Sequence, residues 1–341
     1  MRIAVAVTMV AGALTLASCG GGGDTSSPAP VAQQASTITI NNAQDAASQG
    51  FSSSSSLNSQ TSSSSTLVTG VQVETQDIRP GLLDASFGLL YQGLDASKAS
   101  NLVTGAVVND SFTCSGGSGT ISVKSNTAVS SKISNGDSLT ISASNCLSGG
   151  STLNGSIEFQ FANVTGTIGS TTAWSATMML RFSDLSTSTS AGNSSSVNGD
   201  MRMDFNQTAY KKATIVVSGN LMQSKVYRYG VLTRNEQLAA YTYTGSIDGN
   251  VSTFSSNFSF TGNVAKLGNG TYVIKTVTPF QVTVPALNPS TGVMTVTATD
   301  NTSVRLTAID ATSVKLDVDR NGDGVYDETI NTTWTDINSR S

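Results

Sequence analysis

From Val103 to the end of the chain, apolar and polar residues alternate in run after run. The stretches GTISV, SLTISASNC and LNGSIEFQF show the period of two that a half-buried strand requires, because successive side chains leave a strand on opposite faces. WSATMMLRF, MRMDFNQT and ATIVVSG follow it less cleanly, and NFSFTGNV, TYVIKTV, FQVTV, VMTVTAT, SVRLTAI and SVKLDVD continue it. Asn-Gly, Asp-Gly and Ser-Gly pairs, the residues of tight turns, fall between many of these runs. Strands joined by such short links pair antiparallel. The pattern predicts an all-β fold, one large antiparallel β domain built as a meander, sandwich or barrel. Ahead of it, Leu83, Phe87, Leu90, Tyr91 and Leu94 recur at helical spacing after Pro80, which predicts one short N-terminal helix packed on the sheet.

The first residues follow a different logic. Arg2 precedes an apolar run, Ile3 to Leu16, that is too short to span a bilayer and reads as an export signal. Leu16-Ala17-Ser18-Cys19 then resembles the lipobox of bacterial lipoproteins, which implies cleavage before Cys19 and acylation of its thiol. Each buried CH₂ contributes about 0.8 kcal/mol, so the two or three chains the resemblance implies would anchor firmly. Gly20 follows Cys19 where an Asp would signal retention at the inner membrane, so the resemblance points to the outer membrane. From Cys19 to Thr66 the chain holds GGGG, SSPAP and two serine runs, a composition that reads as disordered linker. The expected organisation is a signal peptide at 1–18, a linker carrying lipidated Cys19 at 19–66, and a β-rich domain at 67–341.

Composition narrows the chemistry. Charged residues make up 12% of the chain, and its net charge is −4 without a basic run, so nucleic acid is excluded as a partner. Histidine is absent, which removes His-dependent nucleophilic catalysis and every His-containing metal site. No G-x-S-x-G or S-x-x-K motif is present. Once Cys19 is acylated, Cys114 and Cys146 form an even pair in an oxidising compartment and read as a disulfide. Asp137, Glu158, Asp184 and Asp204 stand alone in sequence and suit solvent or turn roles. Trp174 and Trp334 read as core anchors.

The stretch DVDRNGDGVYDE carries the clearest candidate chemistry. Begun at Asp317, it satisfies the EF-hand loop pattern through Asp317, Asp319, Asn321, Gly322 and Glu328. Begun two residues later, Asp319, Asn321, Asp323 and Asp327 resemble the D-x-N-x-D-G loops of dockerin and thrombospondin type 3 repeats. Both registers offer hard oxygens on a sharply turning backbone, as calcium requires. The flanks read as strands, so the expectation is a structural calcium loop within a β-hairpin. Tandem Asn-Gly and Asp-Gly would also make a bare turn. Five crowded acidic side chains argue for a counter-charge.

A second candidate is KVYRYGVLTRNEQLAAYTYTG. Folded about Asn235, it would set Tyr227 opposite Tyr243 and Tyr229 opposite Tyr241, four rings on one face. Such a face could stack on glycan, or it could be a ladder that stiffens the sheet. Val231 and Ala239 on the same face argue for the ladder.

The layout as a whole resembles uncharacterised β-rich lipoproteins of Gram-negative bacteria, through Cys114, Gly136-Asp137, Cys146, Leu153-Asn154-Gly155-Ser156, Asp317 to Asp327 and Trp334. That resemblance implies no activity. The reading is an outer-membrane-anchored lipoprotein, on the periplasmic or surface face, with a binding or structural role toward glycan or envelope protein. An envelope polysaccharide hydrolase with paired carboxylates and a β-barrel lipid carrier are the alternatives.

Overall fold

The computed structural model describes residues 35–54, 108–114, 116–126, 133–148, 150–168, 170–264 and 267–340. The signal segment, Cys19, residues 55–66 and the helix expected over Leu83 to Leu94 lie outside them.

Among the described residues, fourteen strands form one antiparallel sheet in which every strand pairs with its neighbours in sequence, β1 through β14. Strands β1 to β3 are Val108–Thr113, Thr120–Asn126 and Ser138–Ser148, and β4 to β6 are Ser151–Thr165, Trp174–Thr189 and Ser194–Ala209. Strands β7 to β10 are Lys212–Arg228, Val231–Asp248, Val251–Val264 and Gly268–Thr283. The last four, Thr291–Ala298, Ser303–Ala308, Ser313–Asp319 and Glu328–Thr333, are shorter. The fold is therefore a meander. Among the described residues β1 pairs only with β2 and β14 only with β13, so the sheet order has two ends.

One face of the sheet is core. Ile157, Phe159, Phe161, Met178, Leu180, Met203, Phe205, Val217, Phe258, Ile274, Val296, Leu306 and Leu316 are all buried, with exposed or half-buried residues between them along each strand. Trp174 stacks on Phe205 across the β5–β6 pair at 4.2 Å, and Trp334 is fully buried. Both tryptophans are the core anchors the sequence predicts.

Strands β4 to β10 are longer than the alternating runs suggest, and bulges are the reason. Register shifts interrupt every strand pair from β3–β4 to β10–β11, most of them in mid-strand and that of β7–β8 near its hairpin turn. Asn145 and Asp184 bulge with positive φ, and their freed N–H groups donate to Asn154 Oδ1 (2.7 Å) and Asn198 Oδ1 (2.6 Å) on the next strand. Gly155, at φ +96°, follows Asn154 and lies against the Asp184 carbonyl, where a Cβ has no room. A bulge adds twist and bends the strand without ending it. Asn198-Gly199 therefore lies inside β6, where turn chemistry in the sequence suggests a boundary, and Asn154-Gly155 lies inside β4, within the run LNGSIEFQF. In β10, Pro279 lacks an N–H and falls in the bulge between Lys275 and Phe280, joining TYVIKTV and FQVTV into one strand.

The linker expectation needs correction over residues 35–54. Ile38, Ala43, Ala46, Ala47 and Phe51 are buried, and 43–54 is a helix, α1. Small residues at helical spacing explain the docking. A Cβ on Gly50 would meet Val296 Cγ2 at 2.6 Å, so glycine lets the helix lie against β10 and β11. Phe51 packs on Trp334 (4.5 Å) and Phe280 (5.4 Å). A short helix α2, Trp334–Asn338, closes the chain. It is tied to α1 by Ser48 Oγ donating to the Ile337 carbonyl (2.6 Å) and by the Arg340–Asp45 ion pair (3.0 Å).

Candidate functional site

An antiparallel meander places every odd-to-even turn at one end. The β11–β12 turn, the β13–β14 loop and the β7–β8 hairpin thus share an end, here called apical. The chain enters there too: Ser36 N donates to Thr299 Oγ1 (2.8 Å) and Thr37 Oγ1 to Asp300 Oδ2 (2.6 Å), both on the β11–β12 turn.

The stretch Asp317 to Glu328 forms the β13–β14 hairpin, with strands on both flanks as expected. Its acidic residues divide into three groups. Asp317 belongs to the ladder: its Oδ2 takes Arg305 (2.7 Å) and Lys315 (3.2 Å), and its Oδ1 accepts from Thr329 Oγ1 (2.8 Å). Burial alone would raise its pKa; the hydrogen bonds from Arg305, Thr329 and Lys315 outweigh burial and hold it below the ordinary value. Glu328 opens β14 and pairs with Arg320 (2.8 Å), while Asp327 accepts from the Arg320 amide (3.1 Å). Asp319 and Asp323 make up the turn itself. Asp319 is buried and accepts from the amides of Asn321 (3.3 Å), Gly322 (2.8 Å) and Gly324 (2.9 Å). Asp323 accepts from Val325 N (2.8 Å) and Asn321 Nδ2 (3.1 Å).

This arrangement corrects the crowding argument. Three cations, Arg305, Lys315 and Arg320, already neutralise Asp317, Asp327 and Glu328. Among the described residues, Asp319 and Asp323 are the loop acids without an ion pair. Among those residues, too, no three His, Cys, Asp or Glu side chains gather into a metal-holding group. Of the second register's residues, Asp319, Asn321 and Asp323 offer oxygens from within the turn, while Asp327 accepts from the Arg320 amide and lies 3.9 Å from its guanidinium.

Cys114 and Cys146 form a disulfide, with Cα atoms 5.4 Å apart. It joins the end of β1 to β3 across the intervening β2.

The tyrosine face is overturned. The β7–β8 turn lies at Tyr229-Gly230, not at Asn235, and pairs Tyr227 with Leu232, Gly219 with Tyr241 and Val217 with Tyr243. Tyr241 and Tyr243 are buried in the core, where burial first and the Asp200 charge second push the Tyr241 hydroxyl up. Tyr227 and Tyr229 sit at the far tip. The error lay in the turn residues: Asn235 looks like a turn centre, but Tyr229 takes φ +51° beside Gly230 and turns the chain.

The isolated carboxylates keep local roles. Asp137, though buried, accepts from Ser134 N (2.7 Å) in a turn. It lines an open cleft of about 500 Å³ with Asn135, Gln160, Asn163 and Met179, a lining with no second carboxylate. Asp204 accepts from Arg202 Nε and Nη2, each at 2.8 Å, and that pairing, ahead of Thr177, lowers its pKa against the cost of burial.

Among the described residues no helix is long and apolar enough to cross a membrane. No protein-family model, curated protein or solved structure matches the chain.

Proposed function

We propose that this chain is an outer-membrane lipoprotein, acylated at Cys19, whose β-meander serves a binding or structural role at the cell envelope. The disulfide between Cys114 and Cys146 carries the reading, because such bonds persist in compartments outside the reducing cytosol. It agrees with the export signal and lipobox at the start of the sequence. The apical entry of the chain at Ser36 suits a tether from a membrane on that side. The β13–β14 loop adds a calcium site of structural kind, held by Asp319, Asn321, Asp323 and Asp327.

Intact-mass measurement on protein extracted from membranes tests the reading. The expected mature chain starts at Cys19 and carries diacylglyceryl mass, and Cys19→Ser retains the unprocessed, unacylated mass. A mature N-terminus elsewhere without acyl mass overturns it.

A further inference from the structure

The β7–β8 hairpin extends beyond its neighbour. Strand β8 pairs with β9 only from Glu236 on, so Val231 to Asn235 pair with β7 alone among the described residues. On the other side the tip is braced by the β5–β6 turn. Gly230 N donates to the Gly192 carbonyl (2.9 Å), and Tyr229 N to Asn193 Oδ1 (3.1 Å). The tip is thus a supported projection.

Its chemistry differs from the rest of the chain. Tyr229 is 80% exposed, Val231 65% and Leu232 46%, three large apolar groups within four residues. Lys225 and Arg228 are exposed beside them, and Arg234 follows in sequence. From Ser224 to Asn235 there is no acidic residue, in a chain whose net charge is −4. The adjoining β5–β6 turn, Ser190 to Asn193, is uncharged.

The turn also favours an exposed aromatic over local stability. Tyr229 holds φ +51°, a region that Asn, Asp or Gly occupies at least cost and a bulky residue rarely enters. Asn-Gly would be the more stable pair there.

We infer that the β7–β8 tip is a second membrane contact, which lays Tyr229, Val231 and Leu232 into the interface of an anionic lipid surface while Lys225 and Arg228 meet its headgroups. Tyr prefers the headgroup level, where an apolar ring and a polar hydroxyl are both satisfied. Basic residues near an anionic surface each add attraction, screened within a Debye length of about 8–10 Å. The tip lies at the apical end, where the chain enters at Ser36, so an anchor upstream and the tip would face one membrane. The acidic β13–β14 loop shares that end but lies five strands away in the sheet order.

The inference rests on the lipoprotein reading for orientation alone, and its test omits the anchor. The chain from Gly20 onward retains every described residue. Its co-sedimentation is measured with vesicles of phosphatidylcholine alone and with phosphatidylglycerol added. Binding is expected with phosphatidylglycerol only. Lys225→Gln with Arg228→Gln should weaken it about 25-fold, roughly fivefold per cation. Tyr229→Asn should weaken it too, while the melting temperature holds or rises, so lost binding cannot be lost folding. Equal binding to neutral vesicles, no binding to either, or variants that sediment like the parent chain overturns the inference. None of these outcomes alters the mass result expected at Cys19.

Discussion

At Asp317 the distinction between a ligand and a ladder residue comes down to its neighbours. The sequence offers it as the first oxygen of an EF-hand-type loop, but Arg305 from β12 and Lys315 from its own strand occupy it. The guanidinium of Arg305 is covered in turn by the ring of Tyr326, 4.2 Å away, which folds the loop back over the pair. None of this was legible in sequence, because Arg305 is twelve residues from Asp317 and reaches it only through the β12–β13 register. The consequence is measurable. A carboxylate whose folded pKa lies below its unfolded value stabilises the fold above the unfolded pKa, near 3.9. That stability is lost as pH falls through the lowered folded value. Asp317→Asn should therefore cost about 1–3 kcal/mol at neutral pH. The gap to the parent chain should close as pH falls below about 4. Denaturant melts at pH 7 and pH 3 measure both. An equal gap at the two pH values would mean that the carboxylate charge contributes nothing.

At the scale of elements, alternation located most of the strands, and local chemistry misjudged where they end. LNGSIEFQF and SVKLDVD are strands as read. Asn198-Gly199 looks like a hairpin turn and instead serves a bulge, as Asn154-Gly155 does within LNGSIEFQF, Asn by capping a freed amide and Gly155 by making room for a carbonyl. The same residue types meet both needs, since both demand positive φ or close backbone approach, and only pairing partners tell them apart. The β13–β14 hairpin was legible as a loop between strands, though not its charge balance. Its two registers make different demands on the charged pairs. With Asp317 held by Arg305 and Lys315 and Glu328 by Arg320, a calcium ion would draw on Asp319, Asn321 and Asp323, and on Asp327 in place of its 3.9 Å contact with Arg320. Millimolar calcium should then raise the melting temperature, magnesium should do so less, and the rise should follow RT ln(1 + [L]/Kd). Asp323→Ala should abolish the effect and Glu328→Gln should leave it intact. A melting temperature that stays constant up to about 10 mM calcium, well above the range of extracellular modules, reduces the stretch to a turn.

At the scale of the whole molecule, the boundary of the folded unit moves. Serine and glycine runs suggest that folding begins near Leu67, yet 35–54 supplies a strap and a helix to the core. Composition misled because the docking face of α1 is made of Ala43, Ala46, Ala47 and Gly50, residues that score as weakly apolar but permit close approach. The segment covers what the sheet cannot cover by itself. Ile38 N donates to Thr302 Oγ1 (2.6 Å), Ser54 Oγ accepts from Ser256 Oγ (2.7 Å), and Phe51 sits among Phe254, Phe280 and Trp334. Removing residues 1–54 would uncover those aromatic rings and leave buried Ser256 and Thr302 without these partners. Burying a Phe side chain is worth about 1.5–3 kcal/mol in area terms, and Phe→Ala truncations in cores cost about 3–5 kcal/mol. Phe51→Ala alone should therefore lower stability by about 3 kcal/mol. A chain beginning at Ser55 should lose far more and aggregate, while one beginning at Gln34 should melt with the parent. Equal melting temperatures for chains begun at Gln34 and at Ser55 would place α1 outside the cooperative unit. A fall confined to the shorter chain and to Phe51→Ala would show that the domain is closed by a segment its composition presents as a tether.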